Sequence, residues 1–64
     1  MRTMRSYAET VDLARCCALN ARLAPSKELA KELWKMAVRY QLEAGDLDGG
    51  AQPDIGSLPS LLRN

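Results

Sequence analysis

From Leu29 to Ala44 the apolar positions keep helical time. Leu29, Leu33, Met36, Ala37, Tyr40 and Ala44 fall at i, i+4, i+7, i+8, i+11 and i+15, one face of a helix. No Gly or Pro interrupts the run, and Ala, Leu, Glu, Lys and Met all favour helix. A single amphipathic helix cannot hide its own apolar face, so another part of the chain must cover it. A second helix is expected upstream, over Tyr7–Leu23. Ser6 and Glu9 have the S-x-x-E spacing of a capping box, in which side chain and backbone satisfy each other's orphan donors. The inward stripe of this first helix reads Leu13, Ala14, Cys17, Ala21 and Ala24, with Tyr7 and Thr10 leading into it. These side chains are small, so the helices are expected to approach closely, with Leu33, Met36 and Tyr40 filling the space opposite.

Pro25 removes a backbone donor and pushes Ala24 out of helical geometry, which ends helix one, and Ser26 is a natural N-cap for helix two. So short a connection implies an antiparallel hairpin of Tyr7–Leu23 and Lys27–Ala44. Gly45 then stands as the left-handed residue beyond the second helix. The expected fold is all-α. Residues 1–5 form a frayed leader, 6–45 the hairpin, and 46–64 a flexible linker and apolar C-terminal tail, mostly irregular. The linker, DLDGGAQPD, is rich in Gly, Asp and Pro, and Leu58, Leu61 and Leu62 group around Pro59 in the tail.

Each helix carries a second apolar stripe away from the hairpin core: Cys16, Leu19 and Leu23 in the first, Trp34, Val38 and Leu42 in the second. A hairpin that buries one face should be polar on its back, and a contiguous apolar stripe there marks an interface. One covering is a second copy packed back to back, giving a homodimeric four-helix bundle. The other is the tail, folding Leu58, Leu61 and Leu62 over Trp34. The two are compatible if tails are exchanged between subunits.

Size favours the dimer. A chain of 64 residues is too short to hold both an active-site cleft and a full core, and small scaffolds need disulfides, a metal or oligomerisation. There is no His, and two adjacent Cys do not supply a tetrahedral metal site. Cys16 and Cys17 also point apart on a helix, so they do not bridge. No cofactor is expected. Nine basic and eight acidic residues give a net charge of +1, too little to steer the chain to nucleic acid or anionic lipid. The N-terminus lacks the apolar core of a secretory signal and no run is long enough to span a membrane. Two free thiols without an export signal fit the cytoplasm.

Candidate chemistry is thin. Cys16–Cys17 has only Arg15 beside it to lower a thiol pKa and reads as structural. Asp46, Asp48 and Asp54 near Gly49-Gly50 lack the bidentate Glu of a calcium loop and read as turn residues. With no His, phosphate loop or nucleophile elbow, an enzyme is not expected. Lys27, Lys31, Lys35 and Arg39 form a basic ridge at i, i+4 spacing, with Trp34 alongside as a stacking platform, which makes a nucleic-acid-binding regulator the competing reading. Glu28–Lys31 and Glu32–Lys35 are, equally, ordinary pairs of a solvated helix face. The tail also matches LxxLL, a spacing that inserts leucines into an apolar groove.

Ala14, Cys17, Ala21 and Ala24, followed by Leu33, Met36, Ala37, Tyr40 and Ala44, give A-x-x-C-x-x-x-A-x-x-A, a turn, then L-x-x-[LM]-A-x-x-[WY]-x-x-x-A. This pattern resembles that of the very short, uncharacterised helical-hairpin proteins of proteobacterial genomes. Members often carry Asp-Pro in the turn, where this chain has Pro25-Ser26, which leaves the cap but shifts it. The resemblance implies a helical hairpin in a bacterial cytoplasm and no activity. The function expected is a non-enzymatic protein–protein interaction module that self-associates through Cys16, Leu19, Leu23, Trp34, Val38 and Leu42. The tail or residual groove would engage a regulatory partner.

Overall fold

The computed structural model describes residues 6–47 and 49–63, so the expected leader over residues 1–5 lies outside the described part. Two helices, α1 (Tyr7–Leu23) and α2 (Lys27–Leu47), pack against each other as a hairpin, and a short 3-10 turn, η1 (Ser60–Leu62), closes the chain. Among the described residues there is no strand. The capping box at Ser6 is present. Its Oγ accepts from the Glu9 amide at 3.1 Å, while the Ser6 amide donates to Glu9 Oε1 at 2.9 Å. Ser26 Oγ accepts from the Leu29 amide at 3.2 Å and caps α2.

The helices meet along a line of alanines. Ala14, Ala18 and Ala21 of α1 and Ala30, Ala37 and Ala44 of α2 are all completely buried. On α2 these alanines recur every seventh residue, so they return to the same side of the helix and let the two backbones draw close. This differs from the expected seam. Leu29 and Met36 remain exposed, Leu13, Cys17, Ala24, Leu33 and Tyr40 are half-buried, and Ala18 and Val11 take places the sequence reading left empty. The physical reason is closeness. A seam of methyl groups has no room for leucine or methionine, so the larger side chains line its two edges instead of filling it.

The second helix also runs past Ala44, to Leu47. Gly45 is helical and buried rather than the left-handed residue beyond the helix. A Cβ there would lie 2.8 Å from Gln52 Cγ, so the glycine makes room for the returning chain. The left-handed conformation falls instead on Gly49 and Gly50 (φ 66° and 103°), and the Gly50 amide donates back to the Gly45 carbonyl.

Beyond this turn the tail doubles back over one face of the hairpin as a strap. Ile55, 6% exposed, joins Ala14, Ala18 and Ala37 in a single apolar cluster, with Trp34, Val38, Cys17 and Tyr40 packed around it. Pro53 and Pro59 are buried as well. The whole is thin, with Cα extents of 36 × 26 × 12 Å, so the strapped face and the opposite face both lie close to solvent.

Candidate functional site

The alanine seam divides α2 into two edges. Each residue advances about 100° around the helix, so positions one or four residues after the alanines (Trp34, Val38, Gln41, Gly45) fall on one edge. Positions one or four residues before them (Leu29, Leu33, Met36, Tyr40) fall on the other. The strap occupies the first edge. Gln41 Nε2 donates to the Pro53 carbonyl at 2.8 Å, and Trp34 and Val38 pack against the cluster that Ile55 completes.

From α1, Arg22 Nη1 donates to the carbonyls of Ile55 (3.0 Å) and Ser57 (3.2 Å), and Arg15 Nε donates to that of Asp54 at 3.4 Å. Two guanidinium groups on the α1 side and one amide on the α2 side thus hold a segment that has no regular backbone pairing of its own. Gly56 lies directly over Arg22. Its φ of 88° and the 2.9 Å between an added Cβ and Arg22 Nη1 leave no other residue type an unstrained fit. The Gly56 amide donates to Asp54 Oδ1 at 2.9 Å, an Asx turn that shapes the bend.

Against this frame the residues singled out in the sequence separate. Trp34 and Val38 belong to the strapped cluster, whereas Cys16, Leu19, Leu23 and Leu42 are exposed, Leu23 at 72%. Leu19 borders the strap in a shallow hollow shared with Arg15, Arg22, Asp54, Ile55 and Gly56. In the tail, Leu58 and Leu61 are exposed and Leu62 is half-buried, while the buried side chains are those of Pro53, Ile55 and Pro59. These three were missed because a proline and a lone isoleucine carry no periodicity. Lys27, Lys31, Lys35 and Arg39 are all exposed, and Lys35 Nζ lies 3.6 Å from the Glu32 carboxylate. Trp34 is half-buried and packs against the cluster of Ala14, Ala18, Ala37 and Ile55.

Neither cysteine is disulfide-bonded; Cys16 is exposed and Cys17 half-buried. Burial, and secondarily the adjacent Cys16, pushes the Cys17 thiol above its ordinary pKa, which keeps it protonated and poorly nucleophilic at neutral pH. Among the described residues no group of three or more His, Cys, Asp or Glu gathers as a metal site. No described helix is long and apolar enough to cross a membrane.

The edge of α2 away from the strap keeps more of its apolar surface in water: Leu29 is 45% exposed and Met36 42%, with Leu33 half-buried between them and Tyr40 half-buried one turn beyond, against the core cluster. Leu13 and Cys17, both half-buried, continue this face onto α1. No family model, curated protein or solved structure matches the chain.

Proposed function

We propose that the chain is a small non-enzymatic protein–protein interaction module that self-associates and offers its remaining apolar surface to a regulated partner protein. The observation that supports this reading is what stays exposed after the tail has folded back. Leu19, Leu23, Leu29, Met36, Leu42, Leu58 and Leu61 keep between 39% and 72% of their surface in water. Scattered apolar side chains are ordinary on a protein surface, but here five of the seven (Leu19, Leu23, Leu29, Met36 and Leu42) lie on α1 and α2, in a body whose largest fully buried side chains are Thr10 and Pro59. Burial against another protein would supply the apolar contact that a chain of this size lacks internally.

Sedimentation equilibrium across a wide concentration range tests the reading. The expected result is reversible conversion from the 7.1 kDa chain to a species of twice that mass. A 7.1 kDa species persisting to millimolar concentration would contradict self-association. The competing role, nucleic-acid binding along Lys27, Lys31, Lys35 and Arg39, is favoured only by the exposure of that ridge. Reversing the charges of Lys31 and Lys35 separates the two, since it should abolish salt-sensitive nucleic-acid binding while leaving self-association nearly intact.

A further inference from the structure

Leu29, Leu33, Met36 and Tyr40 alternate in spacings of four and three residues, the rhythm that keeps an apolar seam turned toward a partner helix. It runs parallel to the alanine seam, displaced by one position, on the edge that the strap leaves open. Its outer margin carries Glu32 and Arg39, seven residues apart and on the side away from α1.

We propose that the occupant of this face is a second copy of the chain, its α2 lying antiparallel across the first, with Glu32 of each copy beside the partner's Arg39. This rests on the interaction-module reading and names its partner. In one register all four apolar positions are matched: Leu29 lies opposite the partner's Tyr40, and Leu33 opposite the partner's Met36. Two-fold symmetry repeats each pair in reverse. The same register brings the two outer margins together, so the carboxylate and the guanidinium meet twice with opposite sign. A parallel arrangement sets each charged margin against the partner's alanine edge, where the partner's α1 already lies. Charge therefore selects the antiparallel form. The two hairpins meet face to face as a four-helix bundle, and both straps remain on the outside.

The test is sedimentation equilibrium at low salt on the native chain, Glu32→Arg, Arg39→Glu and the double variant, with circular dichroism confirming that each is helical. Each single change converts two attractive contacts per dimer into two repulsive ones and should weaken association roughly tenfold. The double variant restores opposite signs and should return to within about threefold of the native constant, which a merely local effect on the helix would not do. Glu32 also meets Lys35 of its own helix, but both side chains are more than half exposed, so that pair contributes little to the comparison. A native dimer indifferent to both single changes but split by Leu19→Asp would overturn this face and leave the interaction-module reading standing. A native chain that stays monomeric would overturn both.

Discussion

Replacing Ala37 by leucine is expected to leave most of the chain unfolded at room temperature, seen as loss of the helical signal at 222 nm. Ala37 is completely buried where α1, α2 and the strap converge, against Ala14, Ala18 and Ile55. Added methylenes in a well-packed core cost about 1–3 kcal/mol where neighbours can shift, and more where they cannot. On the α1 side the opposing atoms are methyl groups close to backbone, so relief there means separating the helices, and on the strap side it means lifting Ile55 from the cluster. A domain this small rarely has more than about 3–5 kcal/mol to lose. Ala8→Leu is the control: Ala8 is exposed on α1, and the two residues have similar helix propensity, so stability should barely change. Equal tolerance at both positions would mean that the alanine line is not the seam.

Ile55→Ala is expected to release the strap. Ile55 is the tail's apolar member of the central cluster, and truncating a buried isoleucine costs about 2–5 kcal/mol. The polar anchors do not replace it, because Arg15 and Arg22 bond to strap carbonyls that water satisfies equally well once the segment lifts. Trp34 reports the change directly, since it is half-buried beside Ile55 and is the only tryptophan in the chain. Its emission should move to longer wavelength, and limited proteolysis should cut between Gln52 and Pro59. Unchanged emission with undiminished stability would show that the strap is not seated on Trp34.

The two helix starts and the turn between them were legible because their signals are local. Ser6 with Glu9, then Pro25 with Ser26, set the two starts and the turn through hydrogen-bond chemistry that needs no tertiary context. The direction of the seam was not. Reading the largest apolar side chains as inward rotates α2 toward Met36, whereas the helices follow the seven-residue spacing of Ala30, Ala37 and Ala44. On an alanine-rich helix the weight of hydrophobicity lies beside the contact and not in it. Gly45 misled for a related reason: a glycine that ends a helix and one that admits a crossing segment look alike until Gln52 is in place. The strap was anticipated as one of two covers for Trp34, but its buried residues, Pro53, Ile55 and Pro59, have no repeat to betray them.

These features assign different tasks to the two edges of α2. Trp34 and Val38 pack against the cluster that contains Ile55, and Met36 keeps 42% of its surface in water, on the face where the proposed second copy would sit. The most direct test is methyl NMR with a soluble paramagnetic agent, comparing the Ile55 δ1 and Met36 ε signals above and below the association midpoint. The account predicts an Ile55 methyl shielded at every concentration and a Met36 methyl that is wet when dilute and shielded when concentrated. A Met36 methyl equally wet throughout, or an Ile55 methyl broadened in the dilute chain, would contradict it.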